Sequence, residues 1–473
     1  MNITKLKNAA EAISQEKRRE PDSKEQCDPL FDRKIDSITS GIRREYSRGL
    51  HEISKENALT IADYILAMRT ETNLCDHYRM DLIKLLFTFS KYINNKPFMA
   101  VTRNDLISFL ESFRKSEASD PMHKWIGTYN TYRTHLLRFF KWLYYSDIEP
   151  AKRCKPQVIE NIPQLKRKEQ SIYKPTDIWT TKEDALFLKY CPTKRMKCYH
   201  AVSRDTACRP HELLKLKIKD IVFKSAAANK QYAEVLVNGK TGSRHIPLID
   251  SIPYVKDYLG HEHQQPGNPN AVFFCGNGKS LGRSLEVTSL NKIYFHYKKD
   301  FFPKLLDNPN VPPDDKQGIK ELLTKPWNPY IRRHSSLTEK AKILKEPILK
   351  MHAGWSPRSQ THLKYEHYYG NESCESILEA YGIITKDQKI ANSLRPKECP
   401  NCNEPNKPDS RFCAKCRMVL TYDAYSETVE EKGQKDNEIQ NLKQQMMSMQ
   451  ESQKEILDLL KDPVKLIEAL KAS

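Results

Sequence analysis

Apolar residues recur at helical spacing through most of the chain. Ile61, Ile65 and Met68 fall at i, i+4 and i+7, and Leu82, Leu85, Leu86, Phe89 and Ile93 keep one face over three turns. Thr102 followed by Asp105 has the form of a capping box, opening a helix with Leu106, Phe109, Leu110 and Phe113 on one side. A fourth stripe joins Tyr132, Leu136, Phe139, Phe140 and Leu143. Together these predict a small helical domain over residues 55–149, with Arg133, Arg138 and Lys141 exposed on its polar side. Residues 1–54 lack sustained periodicity and read as a loosely structured basic lead-in. Residues 150–177 carry Pro150, Pro156, Pro163 and Pro175 with charge and no apolar face, the composition of a flexible basic linker.

A second domain is predicted over 178–385. It opens with another capping box, Thr180 with Glu183, and holds the one strong strand signal: AEVLV at 233–237, a turn-forming NGKTGS, then RHIPL. The remainder reads as helix, so the expected fold class is mainly α with a small antiparallel β-sheet. Near the C-terminal end, Ile439, Leu442, Met446, Met449, Gln453, Ile456 and Leu460 alternate by three and four. That is a heptad seam of three repeats, predicting an amphipathic or coiled-coil helix over 436–462.

Charge narrows the functional class. The chain has 78 Lys and Arg against 60 Asp and Glu, a formal charge of +18. From Arg395 onward 13 basic residues meet 14 acidic ones, so residues 1–394 hold 65 against 46, the whole positive surplus. Such a surplus is the electrostatic footprint of a polyanion partner, above all nucleic acid. A mean hydropathy of −0.71 and apolar runs no longer than LLFTF at 85–89 exclude a membrane helix. The first twenty residues lack a signal-peptide core, so the expectation is a cytoplasmic, nucleoid-associated protein.

Four of the twelve cysteines form a pattern. Cys399 and Cys402, ten intervening residues, then Cys413 and Cys416 make two CxxC knuckles, whose thiolates can close a tetrahedron around a structural zinc ion. A zinc ribbon over 395–420 is therefore expected. The other eight cysteines are scattered without a disulfide framework.

Three segments of the second domain carry candidate chemistry. RDTACRPHELL contains Arg209, Pro210 and Glu212; Lys240 lies at the tip of the predicted hairpin; PYIRRHSS and GWSPRSQTHLKY contain Tyr330, Arg333, His334, Trp355 and Tyr365. Taken together these resemble the tyrosine recombinases of the phage-integrase family, particularly their archaeal members. Arg209-Pro-His-Glu212-Leu matches that family's Arg-x-x-Glu/Asp-Leu box, and Tyr330-Ile-Arg-Arg333-His334 its His-x-x-Arg-His box. Gly354-Trp355 and then Tyr365 match the third box and the nucleophile, and Lys240 the hairpin lysine.

The resemblance, spanning roughly 55–385, implies a helical core-binding domain followed by a catalytic domain that clamps duplex DNA, and a homotetramer on paired sites. It also implies a site-specific recombinase or integrase, such as mobile genetic elements carry, working through a 3′-phosphotyrosyl intermediate without metal or ATP. In that chemistry Tyr365 attacks phosphorus, Arg209 and Arg333 stabilise the non-bridging oxygens, Trp355 donates one hydrogen bond, and Lys240 protonates the departing 5′-hydroxyl. Glu212 and His334 take supporting roles. Tyr330 departs from the family pattern, since a phenol is a poor proton acceptor at neutral pH, and leaves the general base open. A DNA-binding regulator or architectural protein with reduced catalysis, and a relaxing enzyme acting without synapsis, are the rival readings. Tyr368 and Tyr369 compete with Tyr365 as nucleophile, and ESCESILEAYGI at 372–383 is a candidate for a helix exchanged between subunits.

Overall fold

The computed structural model describes residues 28–72, 74–167, 173–225, 231–276, 278–365 and 394–461. They divide into two compact units, with the division in the chain between positions 172 and 173. The described residues are mainly helical, with one three-stranded antiparallel sheet and a two-stranded ribbon. No described helix is long and apolar enough to cross a membrane.

In the first unit, α1 (Pro29–Thr39), α2 (Arg44–His51), α3 (Lys55–Glu71), α4 (Asp76–Tyr92), α5 (Arg103–Glu111) and α6 (Trp125–Tyr144) enclose one core. Its centre is aromatic: Phe89, Phe98, Phe109, Phe139 and Phe140 are buried, with edge-to-face contacts such as Phe89 on Phe109 at 5.0 Å. The Thr102 capping box forms as expected, with the Thr102 hydroxyl accepting from the Asp105 amide.

Three expectations for this unit need correction. The lead-in is helical from Pro29, because Ile35, Ile38 and Leu50 supply buried positions on elements too short for periodicity to reveal. The linker is not a free strap over its first half: Val158, Ile159 and Ile162 are buried in the same core. They pin the segment down by hydrophobic contact despite its prolines. Arg133 and Arg138 are half-buried and hydrogen-bonded, Arg133 to the Ile162 carbonyl at 2.9 Å and Arg138 to the Tyr78 hydroxyl at 3.3 Å.

The second unit begins with α7 (Thr181–Tyr190), α8 (Lys194–Thr206) and the single turn α9 (Pro210–Leu213). Next comes the sheet β1 (Ile221–Ser225), β2 (Gln231–Gly239) and β3 (Gly242–Leu248), then α10 (Ile252–His261). The helices α11 (Val287–His296), α12 (Phe302–Leu306), α13 (Pro313–Thr324), α14 (Pro329–Ala341) and α15 (Glu346–Ala353) follow. Beyond them lie β4 (Lys397–Glu398), β5 (Pro405–Asn406) and the long α16 (Tyr422–Lys461). The hairpin is one strand larger than expected: β2 pairs with β1 as well as with β3. Gly239 faces Gly242, so Lys240 and Thr241 make the two-residue turn.

Trp179, Phe187, Tyr199, Phe274, Tyr294 and Trp327 share one core with Ala233, Val235 and Ile246 of the sheet. A buried ion cluster lies beside it. Asp184, fully enclosed, accepts from His200 at 2.8 Å, pairs with Arg332, and lies 3.3 Å from Arg204. Burial would raise the Asp184 carboxyl, but Arg332 and His200 hold it below its usual range. Because Arg332 is on α14 and Asp184 on α7, this cluster fixes the helix that carries Arg333.

Candidate active site

Six of the eight side chains singled out in the sequence converge where α9, α14, α15 and the β2–β3 turn meet. Pro210 starts α9 with a preset backbone angle, which puts Arg209 at the cap and Glu212 one turn on. Glu212 is buried and bridges two guanidiniums, accepting from Arg209 Nη1 at 3.0 Å and Arg244 Nη2 at 2.8 Å. Burial alone would push its carboxyl up, yet Arg244 and Arg209 hold it below the usual carboxylate value, so it is ionised.

Arg244 is a site residue that the sequence reasoning missed. It also donates from Nε to the His352 carbonyl at 3.0 Å, tying β3 to the end of α15. Its signal was present: on β3 it shares the inward face with Ile246 and Leu248, an apolar position holding a charge.

Arg333 is 5% exposed and donates to the Ala207 and Ala353 carbonyls at 2.6 and 2.8 Å. Burial, and then the neighbouring Arg209 charge, lower its pKa to about 10, which leaves it charged at neutral pH. Its guanidinium carbon lies 5.9 Å from the Trp355 ring centroid, and Trp355 stacks on Tyr365 at 5.4 Å. The chain turns into this segment through Gly354, which has φ +64° and closes α15. A Cβ there would stand 2.7 Å from Arg244 Nη1, so the turn and the arginine demand glycine together.

Tyr365 is 3% exposed, and its hydroxyl is 2.9 Å from His334 Nδ1, with the two rings stacked. Burial, reinforced by Arg333 and Lys364, lowers the His334 pKa to about 4. The imidazole is therefore neutral at pH 7 and has an acceptor nitrogen to offer. Tyr173, at the start of the unit, packs on its ring at 5.0 Å.

Lys240 is exposed on the hairpin turn, which the Thr241 hydroxyl anchors to the Gly354 carbonyl at 3.2 Å. Tyr330 is 40% exposed at the first turn of α14, where the Asn328 side chain caps its amide. Thus Arg209, Glu212, Arg333, His334, Trp355 and Tyr365 come together, while Lys240 and Tyr330 stand on the surface. Tyr368, Tyr369 and the segment 372–383 lie outside the described residues.

The four ribbon cysteines form a separate cluster. Their sulfurs lie within 4.8 Å of one another, with Cys399–Cys416 and Cys402–Cys416 at 3.5 Å and Cys402–Cys413 at 3.6 Å. Tetrahedral thiolate ligation at about 2.3 Å from a metal spaces sulfurs about 3.8 Å apart, so the residues fit a bound ion. The ribbon rests on α10: Lys407 pairs with Asp257 at 2.5 Å, and Lys256 with Glu404.

No family model and no curated protein matches the chain. Solved structures similar to it include the XerH site-specific recombinase bound to a palindromic difH substrate in a post-cleavage complex. That likeness has 18% identity, covers 75% of this chain and 94% of the other, and has a TM-score of 0.47. The Tn1549 transposon integrase in complex with transposon right-end DNA shares 14% identity over 68% of this chain and 99% of its own, with a TM-score of 0.44. A lambda integrase dimer bound to a core site shares 12% over 70% and 98%, with a TM-score of 0.43.

Proposed function

We propose that this protein is a site-specific DNA recombinase that cleaves and rejoins strands through a phosphotyrosyl link to Tyr365. The observation that carries the reading is the placement of Tyr365 against a neutral imidazole on one side and Trp355 on the other, with Arg333 over the same indole. A phosphodiester gains charge on its non-bridging oxygens during attack, and two guanidiniums answer that charge bidentately. Arg209 and Arg333 supply them. Glu212 holds Arg209 in place, His334 accepts the Tyr365 proton in place of Tyr330, and Trp355 donates its indole N–H. Lys240, on the turn tethered to Gly354, delivers a proton to the leaving 5′-hydroxyl. The phosphotyrosyl bond conserves the energy needed for religation, so the residues suffice without nucleotide. Duplex DNA is the partner, held by the basic surplus of residues 1–394 and cut at paired sites in a tetramer. The ribbon ion is zinc, in keeping with an all-thiolate tetrahedral set.

In the free protein Tyr365 and Arg333 are almost closed to solvent, so cutting requires the segment bearing Tyr365 to open over the DNA. That burial also favours a second reading, a DNA-binding factor that keeps the fold without strand exchange. Nicked DNA that traps covalent intermediates separates the two: the recombinase forms an SDS-resistant adduct that Tyr365→Phe abolishes, and a pure binder forms none.

A further inference from the structure

We infer that α16 is a dimerisation rod, through which two copies of this chain pair as a parallel, in-register, two-stranded coiled coil. The helix has 40 residues, a length of about 60 Å at 1.5 Å per residue. Ala424 in its first turn is fully buried, but from Glu427 to Leu457 every described side chain is exposed. Ile439, Leu442, Met446, Met449 and Ile456 thus stand in water on one line, each about half or more exposed. A stripe that alternates strictly by three and four drifts off one face of a straight helix and stays in register only with a supercoiled partner. Between Ile439 and Gln453 the positions off the stripe are polar except Met447, so the stripe has the narrow seam of a coiled coil. Leu457 widens it at the distal end.

The flanking charges select the occupant and its direction. With Ile439 and Met446 at a positions, Glu438 is at g and Lys443 at the following e. A parallel second copy sets each Glu438 opposite the other chain's Lys443, and Gln445 opposite Gln450. An antiparallel copy sets those charges against Ser452 and Leu457 instead. Gln453, the one polar seam residue, meets its own copy only when the helices are parallel and in register; there the two amides hydrogen-bond to each other. In the antiparallel arrangement it faces Leu442.

The mount suits this use. The ribbon is held to α10 by the Lys407–Asp257 and Lys256–Glu404 pairs, and Arg411 pairs with Glu427 across the ribbon–helix junction. The rod therefore starts from a fixed base, and pairing the rods brings the second units of two chains together. This inference stands apart from the recombinase reading, because a DNA-binding factor would dimerise in the same way.

The test uses the full chain. Sedimentation at tens of micromolar is expected to give the mass of two chains, and Leu442→Asp with Met446→Asp to give one, with an unchanged circular-dichroism melt of the remainder. Lys443→Glu should weaken the dimer several-fold, and adding Glu438→Lys should restore it. Under mild oxidation, Met446→Cys should form a covalent dimer beyond the parent's background, and Gln444→Cys, on the outer face, should not. A parent that stays monomeric, a dimer indifferent to the Leu442 and Met446 changes, or equal cross-linking at 444 and 446 would each overturn it.

Discussion

Glu212 shows how much of the site rests on one side chain. It is buried between Arg209 and Arg244, and removing one member of a buried ion group leaves an uncompensated charge that costs about 3–5 kcal/mol. Glu212→Ala is therefore expected to lower unfolding stability by that order in urea titration. His334 makes a separate prediction. A positioned base contributes about 100-fold or more to a proton transfer, so His334→Ala should slow adduct formation by that factor while leaving DNA affinity unchanged. The pH dependence follows from burial. His200 and His334 are lowered to about 4 and His352 to about 3: desolvation comes first in each, nearby arginine or lysine charge adds to it at His334 and His352, and at His200 desolvation outweighs the opposing pull of Asp184. Their unfolded pKa is about 6.5, so between 6.5 and 4 the unfolded chain binds more protons, and stability falls as pH is lowered through that window. Melting temperature should drop steadily from pH 7 to pH 4.5. A flat profile would mean that these rings are not held neutral.

Helix α14 carries Arg332, Arg333 and His334, and its start is set by Asn328, whose side chain accepts from the Tyr330 and Ile331 amides. Losing such a cap costs about 1 kcal/mol, so Asn328→Ala should destabilise the protein by that amount. Caps were legible in the sequence because they are local: Thr102 with Asp105, and Thr180 with Glu183, formed as read. So were four of the six helices of the first unit and the β2–β3 hairpin, while Arg209, Arg333, Trp355 and Tyr365 were grouped by resemblance to a family's motifs rather than by periodicity. What the sequence hid depends on contacts between distant segments. Arg244 joins Glu212 across 32 positions, and Asp184 meets Arg332 across 148. Neither pairing leaves a periodic trace. The lead-in helices and the buried linker residues escaped for a related reason: their few apolar side chains find partners only once the core exists.

The chain joins a helical basic unit to a second unit that buries Tyr365 and carries the cysteine cluster and the exposed α16. The cluster precedes α16 in the chain and pairs with α10, so stripping a metal held there is expected to loosen the mount. Strong chelation is expected to release one zinc ion per chain and lower the melting temperature, since metal binding free energy is folding free energy for such ribbons. Metal analysis that finds none would contradict the assignment.

The role proposed for Tyr365 is that of a nucleophile toward DNA phosphorus. The most direct test incubates wild type and Tyr365→Phe with nicked duplexes that the protein binds, and scores adducts that survive SDS. Wild type is expected to form an adduct and the variant none, at equal DNA affinity. An adduct that persists in Tyr365→Phe, or none from wild type on a site it demonstrably occupies, would contradict it.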